Sequence, residues 1–430
     1  MPPEPLRPYR RDGWLLAVRT GAALAAAIGI GRFVFTPILP LMEADAGLTS
    51  AGASILASAN YLGYLLGALL GISIPHFGHS RSAMRTSSVV LTVSLLAMTL
   101  THDHLLWSIT RAIAGVASAI VFMVVANAIL TQLSSARPQL VGWAYGGLGV
   151  GITFSGVLVT LVSDVGDWRA AWAASAVLTA VFAAIGWKVG SPGPTLRQPK
   201  TPAVAPTMQH RRLPFGLLMT SYVLEGAGYI IAGTFLVAAV AATGPGWLAG
   251  SLWIVVGLAV VPSCVLWASM ATRFSRPTLL TVALVLQATG LALPAFSDSP
   301  LVSLAAATLF GATFMGVVTL SMSIGRSLGV PKAVALLTAG YSIGQVVGPL
   351  AVVPLLHNGY HGALLLGAAI VLAAAVASAL LVAQLARTPR LEMGGPVTRA
   401  FARSSAGNGR ITPGSPRSVQ GRLPRTSSRD

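Results

Sequence analysis

Apolar residues run in stretches of about twenty positions along nearly the whole chain, with short polar breaks between them. The strict two-residue alternation of a membrane β-barrel strand is missing. Stretches of that length match the hydrocarbon core of a bilayer when wound as helices. Twelve are predicted, at 17–42, 51–74, 85–101, 105–132, 139–163, 169–189, 213–242, 247–271, 277–296, 300–325, 332–356 and 361–385. The pattern therefore predicts an all-α polytopic membrane protein.

Composition sharpens that reading. The chain has 430 residues, 54% hydrophobic and 9% charged, where a soluble domain carries about 25% charged residues. Too little polar surface exists to face water. The single cysteine, Cys264, lies inside a predicted span, which excludes an internal disulfide and a thiolate metal cluster. A cleaved leader is not expected, because Arg32, Pro37 and Pro40 interrupt the first apolar run.

The formal net charge of +17 raises the question of nucleic acid. The distribution answers it. With both termini on one side, all of the 28 Lys and Arg residues except Arg32, Arg111 and Arg169 fall in segments on that side. Glu43, Asp45, Asp103, Asp164, Asp167 and Asp298 fall in segments on the other. This is the positive-inside pattern, so the basic excess records cytoplasmic termini and no nucleic-acid partner. The sequence from 387 onward, rich in Ser, Arg, Gly and Pro, is expected to be a disordered basic tail.

A polar, proline-rich stretch, "GSPGPTLRQPKTPAVAPTMQHRR" at 190–212, parts six spans from six. The expected organisation is a tail at 1–16, a six-helix bundle at 17–189, the linker at 190–212, a second bundle at 213–386 and the tail at 387–430. Echoes between the halves indicate a duplication. Gly29 and Gly31 register with Gly226 and Gly228, and Gly147, Gly151 and Ser155 with Gly340, Gly344 and Gly348. Gly63, Gly67 and Gly71 form a third ladder. Small residues four apart share one helix face and admit a close neighbour, so these ladders and Pro349 are assigned to packing and gating.

Three ionisable residues sit deep in the spans. Arg32 follows Arg19 by 13 positions and Glu225 follows Arg212 by 13, each about 20 Å along a helix. Arg111 is about 9 Å from the other end of span four, which places it in the same layer of a core about 30 Å thick. Charges at that depth cost several kcal/mol against lipid, so all three are expected to face the interior as one shared polar site. Glu225 is a proton-carrying carboxylate or the partner in an ion pair with Arg32 or Arg111; the sequence leaves both open. Two arginines against one glutamate leave a spare cation suited to an anion. Asn60, Tyr61, Tyr64, Tyr229, Tyr341 and Gln345 are the candidate polar contacts.

These residues carry a resemblance. "GIGRFVFTPILPLM" followed by "ASANYLGYLLGALLG", with "GAGYIIAGTFL" and "DWRAAW", resembles the YbfB/YjiJ-type transporters of the major facilitator superfamily (MFS) over residues 14 to 386. The resemblance implies the two-bundle major facilitator fold, with spans 1, 4, 7 and 10 lining a central cavity. "RAIAG", Arg111 to Gly115, resembles the span-four arginine motif of the superfamily, and the ladder at Gly147 its span-five motif. The loop "GISIPHFG" departs from the pattern, with Pro75 where an aspartate is usual.

The resulting expectation is a secondary active transporter of a bacterial inner membrane, proton-coupled, for a small and possibly anionic organic solute. A proton antiporter exporting lipophilic compounds is the alternative, and a non-transporting receptor or scaffold a remote one. Expected partners are the solute, H+ and the bilayer, with the chain acting as a monomer. Neither a cofactor nor a metal is expected. His102, Asp103 and His104, like His357 and His361, lack the carboxylate spacing of a metal enzyme, and no nucleotide domain or phosphate cradle is present.

Overall fold

Backbone polar groups find no water in a bilayer, and a helix is the one local structure that satisfies them internally. The computed structural model describes residues 9–74, 78–133, 138–190 and 209–387, all in helices and short connections. Its membrane-length helices are span 1 (Gly13–Asp45), span 2 (Ser50–Gly71), span 3 (Arg81–Leu100), span 4 (His104–Leu133), span 5 (Leu140–Ser163) and span 6 (Trp168–Gly186). Span 7 (Arg212–Thr243), span 8 (Gly246–Met270), span 9 (Arg276–Ala295), span 10 (Pro300–Ser327), span 11 (Ala333–Asn358) and span 12 (His361–Arg387) follow. Each overlaps one predicted segment. The amino tail to residue 8, Pro75, Arg137, the linker at 191–208 and the tail from 388 lie outside the described residues.

Local chemistry sets several starts. The side chains of Thr49, Ser80, Asp103, Asp167 and Ser275 accept hydrogen bonds from the first free amides of spans 2, 3, 4, 6 and 9. Spans 1 and 7 are the most enclosed, with 100% and 83% of their apolar windows buried. They therefore form the axis of the molecule. The chain to Leu385 is one compact unit. The face where span 1 begins and span 12 ends is called the terminal face below, and its opposite the far face.

The glycine ladders position these axial helices. A Cβ on Gly151 would stand 2.7 Å from the Ala25 Cα of span 1, and one on Gly344 would stand 2.9 Å from the Ala227 amide of span 7. Neither contact is possible for a larger residue. Gly147 likewise meets Gly21, and Gly348 meets Ala227. Span 5 thus seats span 1 as span 11 seats span 7, the same pairing in each half. Gly63 and Gly67 meet the backbone of span 4, while Gly71 faces the Met123 side chain and Gly340 those of Met219 and Val223. Pro349 lies within the span 11 helix.

Candidate functional site

The helix of span 1 breaks where its arginine stands. Ala25–Ile30 is wound as a π-helical turn, the Gly31 amide bonding back to the Ala26 carbonyl, and a regular α-helix resumes at Phe35. The sequence supplies a cause. Pro37 has no N–H, so the Phe33 carbonyl loses its normal donor and takes the Thr36 amide instead. That leaves the Arg32 carbonyl to another partner. Arg111 of span 4 fills the vacancy, its guanidinium donating to the carbonyls of Arg32 at 3.0 Å and Gly31 at 3.3 Å. Asn60 of span 2 in turn donates to the Arg111 carbonyl at 2.9 Å. Broken turns of this kind recur at functional sites.

The Arg32 side chain points into the protein and is 5% exposed. Its guanidinium lies over the rings of Tyr64 and Tyr61, 4.2 and 4.9 Å from their centroids, with Phe33 at 5.6 Å. Across the molecular axis it donates to Gln345 of span 11 at 2.5 Å. Gln345 donates to the Tyr229 hydroxyl of span 7. Tyr229 belongs to a set of near-parallel rings: it stacks on Tyr341 at 5.6 Å and on Phe314 at 5.8 Å, and Tyr341 stacks on Tyr222 at 4.3 Å. Arg32, Tyr61, Tyr64, Gln345 and Tyr229 therefore form one cluster with walls from both halves.

Glu225 corrects the expectation of a single shared site. It is fully buried, with Gln287 of span 9 and Tyr341 of span 11 as its polar neighbours. A pairing with Arg32 or Arg111, one of the two roles the sequence left open, is not formed; among the described residues the one ion pair is Arg169 with Asp167, at 3.7 Å on the surface. Counting residues does not give direction, and the stacked rings link the two groups: Tyr341 neighbours Glu225, while Tyr229 is bonded by Gln345, the partner of Arg32. Two separate polar groups result, one built on a guanidinium and one on a carboxyl.

Neither group is satisfied. Arg32 Nε, Arg111 Nε, Asn60 Oδ1, both Glu225 oxygens, both polar atoms of the Gln287 amide and the Tyr341 hydroxyl are buried with no hydrogen bond of good geometry to any described residue. Buried polar groups are nearly always paired, and these exceptions gather around Arg32 and Glu225. Gln287 was not singled out from the sequence, although a lone amide in the apolar run of span 9 was there to be read.

The hydrogen bonds joining the halves, among the described residues, lie at the level of Arg32 or nearer the far face. Beyond Arg32–Gln345, Thr36 donates to the Gly233 carbonyl, Ser58 donates to the Val346 carbonyl at 3.0 Å, and Tyr360 bonds both Glu43 and Ser50. Glu43, read from the sequence as a loop-side acid, is half-buried in this clasp. Burial and the bond to Glu43 push the Tyr360 phenol above its ordinary value, so it stays protonated and able to donate. These bonds tie the two halves together toward the far face.

The histidines have local roles. His102 bonds Arg169 and packs edge-on against Trp168 at 5.2 Å, and His104 stacks on Trp107 at 5.5 Å. Among the described residues no group of three His, Cys, Asp or Glu stands together.

No curated protein sequence matches the chain. Solved structures do. The crystal structure of the nucleoside transporter NupG is similar with a TM-score of 0.65 and 12% identity, over 86% of this chain and 98% of that one. A point mutant of that transporter gives 0.66 and 12%, over 85% and 99%. At that identity the likeness establishes the fold alone. The family model described as "Uncharacterised MFS-type transporter YbfB" matches residues 24–382. That match spans most of the chain, and the protein belongs to this family of MFS transporters, which are not enzymes.

Proposed function

We propose that this transporter carries a small organic anion by alternating access, binding it at Arg32, and that Glu225 couples the movement to protons. One observation carries the reading: a buried guanidinium, cradled by three aromatic rings, with one neutral partner and no carboxylate among the described residues. A buried charge of that kind is costly unless something pairs with it. A planar guanidinium offers two parallel donors to a carboxylate, and the Arg32 Nε donor is unused among the described residues. The hydrogen bonds across the far face support a state closed on that side, and we assign the terminal face to the cytoplasm of a bacterial inner membrane on the charge distribution.

A thermal-shift screen of organic carboxylates, organic cations and nucleosides on the purified protein tests the anion site. The expected hit is an anion that stabilises the wild type and not Arg32→Ala. A ligand that stabilises both equally refutes it. One observation favours a second reading: Glu225 is an unpaired carboxylate beside stacked aromatic rings, an environment that also suits a lipophilic cation. Cation hits lost in Glu225→Gln would support that exporter instead.

For coupling, a buried carboxyl without a counter-ion is relieved of its desolvation cost by carrying a proton. Once a cargo is found, Glu225→Gln is expected to abolish uptake driven by a pH gradient while exchange of internal for external cargo continues. Gradient-driven uptake at the wild-type rate would end the proton proposal.

A further inference from the structure

Away from the central site, the flank of the protein near the terminal face holds a crevice of about 650 Å³ between spans 1, 3 and 6. Its walls are apolar. Val89 and Val93 come from span 3, and Ala180 and Ala184 from span 6. The Ser88 and Thr92 hydroxyls that also line it are turned to their own helix carbonyls at 2.9 and 3.0 Å. The two charged residues of the lining are Arg19 and Lys188, with no acid among the rest. Neither has a hydrogen bond or ion pair with any described residue.

The depth of those cations is marked. Lys188 lies just past the end of span 6, beside Trp187, whose ring takes the Arg85 guanidinium at 5.3 Å. Tryptophan and arginine at a helix end sit at headgroup level. From Lys188 back to Ala180 is eight residues, about 12 Å of helix, which reaches well into one leaflet. The crevice thus begins at headgroup depth with two positive charges that have no partner among the described residues and continues into hydrocarbon as an apolar slot.

We propose that this crevice is a binding site for an anionic phospholipid, its phosphate held by Arg19 and Lys188 and one acyl chain laid between spans 3 and 6. Charge complementarity selects the occupant. A zwitterionic lipid brings its own ammonium to the two cations, whereas an anionic one brings net charge and the same chain. Basic pockets between membrane helices hold anionic headgroups by this arrangement. The site does not depend on what the central cluster carries.

Native mass spectrometry of the full chain in detergent, titrated with dioleoylphosphatidylglycerol or dioleoylphosphatidylcholine, tests it. The wild type is expected to prefer the glycerol lipid by about thirtyfold, from two basic residues near an anionic headgroup. Two variants separate the parts: Arg19→Gln with Lys188→Gln removes the charge, and Ala184→Trp fills the slot at an exposed position. The preference is expected to collapse in the first and binding of the glycerol lipid in the second, while millimolar inorganic phosphate displaces nothing. Equal binding of the two lipids by wild type overturns the proposal. So does survival of the preference in the charge variant, undiminished binding in the filled one, or displacement by phosphate.

Discussion

Removing one hydroxyl at the far face should open it. In Tyr360→Phe the ring and its stacking on Phe235, at 5.5 Å, are kept, but the donor to Glu43 is lost along with the contact to Ser50. A hydrogen bond to a charged group contributes roughly 1.5–3 kcal/mol. All of that acts on the closed state, because Glu43 and Tyr360 come from opposite halves and part when the far face opens. The open population should therefore rise by roughly 10- to 150-fold. The chain is well suited to the measurement, since its single cysteine, Cys264, is buried and can be replaced by Ser.

A reporter belongs at Leu39, three residues after Thr36 and four before Glu43. It lies on the helix face that makes the cross-half contacts and is fully buried. Leu39→Cys should be labelled by a membrane-impermeant maleimide from the far side at least tenfold faster when Tyr360 is Phe. An unchanged labelling rate would show that the clasp does not hold the far face shut.

Other consequences follow from the same structure. Gly151→Ala forces a methyl group into the Ala25 backbone and should cost roughly 1–3 kcal/mol, read as a drop of several degrees in melting temperature. Gly216→Ala, a helical position with nothing within 4 Å of the new Cβ, should leave stability unchanged or raise it by up to about 1 kcal/mol. Equal effects at the two positions would refute the packing argument. Arg111→Lys keeps the charge but loses the fork that spans the Gly31 and Arg32 carbonyls. It should lower thermal stability and release the turn at Arg32, detected as faster hydrogen exchange of residues 31–36; wild-type exchange would show that Arg111 does not hold that turn.

The twelve spans, the placement of basic residues and the interior position of Arg32, Arg111 and Glu225 are all set by solvent. Hydrocarbon accepts neither an open backbone nor an unpaired charge, so length, apolarity and the scarcity of charge in a span carry that information in one dimension. The ladders at Gly151 and Gly344 were legible for the same reason, since four-residue spacing fixes a face without any partner being known.

What packing alone decided is the rotation of each helix about its axis. Depth grows by 1.5 Å per residue and can be counted, but which neighbours Arg32 and Glu225 meet depends on how their helices are rotated against spans 5 and 11. The Glu43–Tyr360 clasp joins residues 317 apart in sequence. Likewise, the vacancy that Arg111 fills exists because Pro37 withholds one amide in a helix whose neighbour happens to carry a guanidinium. Composition can announce that such groups are buried; only the meeting of helices determines which one answers which.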